Sequence, residues 1–218
     1  MQLPFTVEQF YDVFRAYNTA VWPTQVFLIA LALAAVGFVA VPRRWSGAAV
    51  SAILAFLWAW LGVAYHLAFF TAINPLAYGF AGVSVAGAFV FLWQGIFLRK
   101  LNFELAFNAR TAVGILLVAF ALVIYPAWSV YAGYHYPSFV TFGLPCPTTI
   151  FTIGVLAVAV KPSPRSPLVV PVLWSFIGGQ AAFLLAVPQD LGLLVAGVAG
   201  VVLVARSNAD TTQAVASR

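Results

Sequence analysis

The chain reads as an all-α integral membrane protein with seven transmembrane helices, and three observations predict this. Of its 218 residues, 64% are hydrophobic and only 7% are charged, too little charge to cover a soluble domain. Apolar runs close to the roughly 17–25 residues that cross a bilayer recur at about 21–41, 48–70, 75–98, 111–132, 146–160, 167–187 and 190–205. These runs do not alternate polar and apolar residues as barrel strands do, so backbone groups in lipid must be satisfied within helices. The mean hydropathy of +1.02 agrees.

Residues 1–20 carry Glu8, Asp12 and Arg15 and lack the apolar stretch of a signal peptide. They read as a short interfacial helix. Thr6 and Gln9 have capping-box spacing, and Phe5 and Phe10 suit a hydrophobic staple. Phe10, Phe14 and Tyr17 then share a face, which is expected to lie on the outer membrane surface. Orientation follows from the cations. Arg43 and Arg44, then Arg99, Lys100 and Arg110, then Lys161 and Arg165, then Arg206 and Arg218 fall on one side, and Arg15 falls on the other. The positive-inside bias places the N-terminus outside and the C-terminus inside. The net charge of +5 is a topology signal and an attraction to anionic lipid, not a nucleic-acid footprint. The lipid bilayer of a bacterial inner (plasma) membrane is the expected location. A homo-oligomer stays open.

The chain also repeats itself. Trp22-Pro23-Thr24-Gln25-Val26-Phe27-Leu28-Ile29 returns as Cys146-Pro147-Thr148-Thr149-Ile150-Phe151-Thr152-Ile153. Leu57-Trp58-Ala59-Trp60-Leu61-Gly62 pairs with Leu173-Trp174-Ser175-Phe176-Ile177-Gly178. Residues 21–98 and 146–205 are therefore two three-helix repeats in one domain, 1–206, joined by a linker helix at 111–132. Because the linker reverses direction, the repeats run the same way, a 3+1+3 parallel arrangement. Residues 207–218 read as a polar, disordered cytoplasmic tail. The 3+1+3 topology resembles sugar-facilitator (SWEET-like) proteins, without their proline-glutamine motif. Rhodopsin chemistry is excluded, since the only lysines, Lys100 and Lys161, lie at helix ends. The segments Leu3-Pro4-Phe5-Thr6-Val7-Glu8-Gln9-Phe10, Tyr65-His66 to Asn74-Pro75, and Pro145-Cys146-Pro147-Thr148-Thr149 resemble an uncharacterised bacterial multi-pass membrane family of unknown function. That resemblance implies no activity.

All five acids, Glu8, Asp12, Glu104, Asp190 and Asp210, fall in loops or at run ends. Ion-coupled pumps place such groups mid-membrane, so the expected function is an uncoupled transporter or channel for a small solute. The substrate-binding candidates are Trp58, Tyr65, His66, Tyr125, Trp174 and Gln180. Trp58 and Trp174 are repeat-related and deep, and their indoles are expected to face each other across a cavity; helix packing is the plainer alternative. Tyr125 precedes Pro126, a kink site.

A second reading is a metal- or haem-binding protein. Cys146 opens a helix whose dipole favours thiolate. With His66 and His135 it offers one sulfur and two nitrogens, suited to copper or zinc. His66 alone suits haem b, whereas the Cys-x-x-Cys-His attachment of c-type haem is absent. Against these stand a small buried thiol, an interhelical hydrogen bond from His66 and an interfacial His135. A third reading is a structural subunit of a larger membrane complex. No acid/base pair, triad, phosphate loop or zincin helix points to an enzyme. Gly79, Gly82, Gly87, Gly178, Gly179, Gly192, Gly197 and Gly200 are expected at close helix approaches.

Overall fold

The computed structural model describes residues 4–216, with side chains through Arg206. Helix α1 (Val7–Val21) starts as its spacing predicts. Thr6 Oγ1 accepts from the Gln9 amide at 3.3 Å, the Thr6 amide donates to Gln9 Oε1 at 2.8 Å, and Phe5 stacks on Phe10 with centroids 6.0 Å apart. Its aromatic face does not lie on a membrane surface, however. Phe10, Phe14 and Tyr17 are buried against other rings. Phe10 meets Phe70 at 6.2 Å, and Phe14 and Tyr17 meet Tyr65 at 6.3 and 5.4 Å. The protein supplies the apolar surface that lipid was expected to supply.

The chain then bends by 88° into α2 (Thr24–Ala40). Helix α3 (Ser46–Trp60) runs on through a π-helical segment, Leu61–Leu67. Helix α4 (Ala77–Phe91) ends in a second π-helical segment, Leu92–Phe97. Helix α5 (Ala109–Ala119) passes through a third, Phe120–Ile124, into α6 (Tyr125–Tyr131). That third segment sits just before Pro126, which has no N–H to donate to the preceding turn. Helices α7 (Pro145–Ala157), α8 (Ser166–Gly178), α9 (Ala181–Leu184) and α10 (Leu191–Ala216) complete the chain.

Five stretches are long and apolar enough to cross a membrane: Ser46–Ala72, Ala77–Phe97, Ala109–Tyr131, Ser166–Leu184 and Pro188–Arg206. The bent pair α1–α2 makes a sixth if counted as one span. Among the described residues the only β-pairing is isolated bridges. The protein is all-helical, with the apolar surface of a membrane protein. Helix α10 continues to Ala216, into the segment for which composition predicts disorder; residues 217–218 lie outside the described residues.

Helix α7 is the one apolar run that reaches spanning length neither alone nor as part of a bent pair. Its 13 residues rise about 20 Å, short of the roughly 30 Å hydrocarbon core, and nearly all are buried. It crosses α5 where Gly114 faces Gly154. A Cβ on Gly114 would lie 2.7 Å from the Gly154 carbonyl oxygen, and one on Gly154 would lie 2.9 Å from that of Gly114. The end of α7 is closed by protein rather than water. The Val160 amide donates to the Asn102 carbonyl at 2.8 Å, the Glu104 amide to that of Val158 at 3.2 Å, and Arg110 to that of Ala159 at 3.0 Å. A cation there also suits the negative end of the helix dipole. Helix α2 carries the first copy of the repeated motif in unlike surroundings, packed on α3 and exposing Val26, Phe27 and Leu33. Gly79 and Gly82 face open space and mark no close approach.

Candidate functional site

A cavity of about 240 Å³ lies at the end of the bundle away from Arg43, Arg44, Arg99 and Lys100. Its walls are mostly rings: Phe5, Phe10 and Phe14 from the N-terminal region, Tyr65 and Phe70 after α3, Phe80 from α4 and Trp174 from α8. The π-helical segment Leu61–Leu67 builds one wall. Its wider turn lets the consecutive residues Tyr65 and His66 both be buried. Gly62 lets that wall meet α4, since a Cβ there would lie 2.8 Å from Val85 and 3.0 Å from the Ala81 carbonyl oxygen.

His66 is 1% exposed, and neither ring nitrogen has a hydrogen-bond partner in the protein. Its ring lies edge-on to Trp174 at 4.9 Å, Tyr65 at 5.2 Å and Phe80 at 5.8 Å. The Trp174 indole nitrogen is also buried, and no oxygen or nitrogen accepts from it. It sits beside Gly178, another lining residue: a Cβ on Gly178 would be 3.1 Å from it. Each unmet buried group costs about 1–3 kcal/mol. The fold thus retains two such atoms on the imidazole, beside an indole N–H with no oxygen or nitrogen acceptor. In either neutral tautomer the imidazole offers one donor and one bare acceptor, and the indole adds a donor.

Cys146, the second residue of α7, reaches the cavity and adjoins the side chains of Asp190, Tyr125 and Trp174, so the indole N–H has the Cys146 sulfur for a polar neighbour, though no oxygen or nitrogen acceptor. Behind it the Tyr125 hydroxyl donates to the Asp190 carboxylate. Asp190 is 1% exposed. It stands at a run end, as expected, in the turn Pro188–Asp190 before α10; its burial was not expected, and a buried carboxylate weakens the argument against ion coupling. The turn before Asp190 is shaped by tertiary structure. Ala186 adopts a left-handed φ of 55°, and its carbonyl accepts from the Tyr11 hydroxyl at 3.2 Å, which tucks the segment under α1.

Of the residues singled out in the sequence, Tyr65, His66, Cys146, Trp174 and Gln180 share the cavity lining. Tyr125 is not in the lining and acts on Asp190 from behind. Trp58 does not face Trp174 across an open space. Its N–H donates to Thr152 at 3.1 Å, and its ring packs on Gly87. The core below the cavity is filled by Trp58 and by Leu54, Ile150 and Phe151. The proposed metal ligands are not gathered. His66 and Cys146 line the cavity, but His135 is exposed in the 132–144 loop and is absent from the lining. Among the described residues no three His, Cys, Asp or Glu side chains are grouped to hold a metal. A haem macrocycle exceeds the space beside His66, which is below the roughly 300–1,000 Å³ of drug-sized sites. The ring of phenylalanines carries no signal of its own, because phenylalanine is common throughout the apolar runs.

Residues 7–214 match a family of unknown function (DUF6064). The chain belongs to this family. No curated protein and no solved structure matches it. The DUF6064 match runs from the first turn of α1 into the last turn of α10, so it takes in the helices that build the cavity. The chemistry of this DUF6064 chain must therefore be read from its own cavity.

Proposed function

We propose that the protein is a membrane-embedded binding protein or carrier for a small, largely apolar molecule with a hydrogen-bonding group such as a ring carbonyl. The observation that carries this is the buried, unpartnered His66 in an aromatic cavity, beside a Trp174 N–H that has only the Cys146 thiol to meet. Two donors on touching rings suit one carbonyl oxygen, and the surrounding rings suit the flat body that bears it. The volume of about 240 Å³ favours a single ring with short substituents. Transport is the second reading, favoured by the break between α8 and α9 at Gly179-Gln180 on the cavity rim. A seven-helix passage of a bacterial inner membrane, in which the short α7 runs inside the bundle rather than in lipid, an outward cavity and two parallel three-helix units belong to this proposal. They are supported by the recurrent apolar helices and the one-sided cations.

Tryptophan fluorescence of the purified protein in nanodiscs, titrated with tetramethylbenzoquinone and with tetramethylbenzene, tests the binding. The quinone is expected to quench saturably, and His66→Phe is expected to weaken it by about tenfold. An equal response to the hydrocarbon, or no saturable response to either, would overturn the reading.

A further inference from the structure

A second cavity, of about 400 Å³, lies at the opposite end of the bundle, between the start of α3 and the π-helical end of α4. It is lined by Arg44, Trp45, Gly95, Arg99, Leu101 and Asn102, together with Ala48. Arg43 and Lys100 flank it in sequence. No acidic side chain lines it, and among the described residues neither Arg44 nor Arg99 has an acidic partner.

The floor is fixed by close backbone crossings. A Cβ on Gly95 would lie 1.9 Å from Ser51 Oγ, and one on Gly47 would lie 2.2 Å from the Leu101 carbonyl oxygen. The cleft is therefore not a gap that side chains could close by shifting. Arg99 is held in the left-handed region, with φ of 50°. Around it the Leu98 amide donates to the Trp93 carbonyl at 2.9 Å and the Lys100 amide to that of Gln94 at 2.8 Å. Helix ends of this kind normally place glycine or asparagine at the left-handed position. An arginine kept there under strain points to a use for its side chain. Sidedness alone asks only for cations somewhere in the loop; it asks neither for a cleft nor for a strained arginine.

The cleft also borders apolar surface. Trp45 is 45% exposed and packs edge-on against Phe38 at 4.9 Å, and Phe97 is 70% exposed. We propose that this cleft binds the phosphate group of an anionic phospholipid. Arg44 and Arg99 donate to the phosphate oxygens, and guanidinium groups suit that geometry. Trp45 stands at headgroup level, where indoles are favoured, and the acyl chains lie along the exposed rings. A free phosphate ion shares the headgroup chemistry but would make no use of the apolar border.

The test is native mass spectrometry of the full-length protein released from detergent, with phosphatidylglycerol and phosphatidylcholine supplied in turn. Wild type is expected to retain phosphatidylglycerol preferentially. Arg44→Gln is expected to lower that retention roughly fivefold, the effect of one basic residue at an anionic surface. Arg99→Gly separates binding from folding, because glycine relieves the backbone. It is expected to lower retention while leaving the unfolding temperature unchanged or raised. Equal retention of both lipids, or unchanged retention in both variants, would overturn the proposal. So would displacement of phosphatidylglycerol by millimolar inorganic phosphate, which would assign the cleft to the free ion.

Discussion

His66 and Asp190 are two buried polar residues with opposite local economies. The His66 nitrogens have no partner, whereas the Asp190 carboxylate is held by the Tyr125 hydroxyl. Their variants should therefore differ in sign. His66→Phe replaces unmet polar atoms by an apolar ring of similar shape and is expected to leave stability unchanged or raise it, by up to about 1–3 kcal/mol. Tyr125→Phe removes the donor from a buried carboxylate and is expected to lower stability by about 1–3 kcal/mol. Thermal unfolding in detergent, without added ligand, measures both; a loss of stability in His66→Phe would show that the imidazole is satisfied after all. At this scale the sequence was partly legible. Tyr65, His66, Cys146 and Gln180 stand out because polar groups are rare in apolar runs. The burial of Asp190 was not legible, because it depends on the backbone of Ala186 and on a hydrogen bond from Tyr11, 175 residues away.

Helix α7 shows what hydropathy can and cannot resolve. The run at 146–160 is apolar enough to suggest a span, yet it is buried among α5, α8 and α10. Apolar composition does not separate contact with lipid from contact with protein. The distinguishing signal is the pair of glycines facing each other, Gly114 and Gly154, and one sequence does not reveal which glycines face each other. Gly154→Val is expected to destabilise by about 1–3 kcal/mol or more, since its Cβ meets backbone that cannot give way. Gly79→Ala, at a glycine with nothing within 4 Å, is expected to be neutral or slightly stabilising through helix propensity. Unfolding temperatures of the two variants, compared side by side, check the contrast. Helix α1 makes the complementary case. Its cap and staple were readable from local spacing, but the destination of its aromatic face was not, because the rings that receive it, Tyr65 and Phe70, come from the π-helical segment after α3 and the turn that follows.

Across the whole molecule the two ends carry different chemistry. One end holds an aromatic cavity with an unmet imidazole, and the other holds a cationic cleft. Between them the centre is closed by Trp58, Thr152 and their neighbours. Cys146 is the sole cysteine and lines the cavity, so the native protein carries its own labelling site. A small methanethiosulfonate reagent is expected to modify it slowly, and tetramethylbenzoquinone is expected to slow this further. Mass spectrometry of the intact protein over time would show it, and labelling indifferent to the quinone would place the ligand elsewhere.

Helix α1, which lends Phe10 and Phe14 to the cavity, is tied down by residues far along the chain. Tyr11 stacks on Tyr134 at 3.9 Å, Tyr17 donates to the Gly143 carbonyl, Asn18 donates to the carbonyls of Pro137 and Phe139, and Tyr11 reaches Ala186. A ribosome that has made only the first hundred residues has supplied α1 but none of these receptors. At that stage α1 can already meet Tyr65 and Phe70, but the contacts that tie its other side down wait until the stretch from Tyr134 to Ala186 emerges. The cavity, whose walls include Trp174 and Gln180, is thus among the last features that biosynthesis completes.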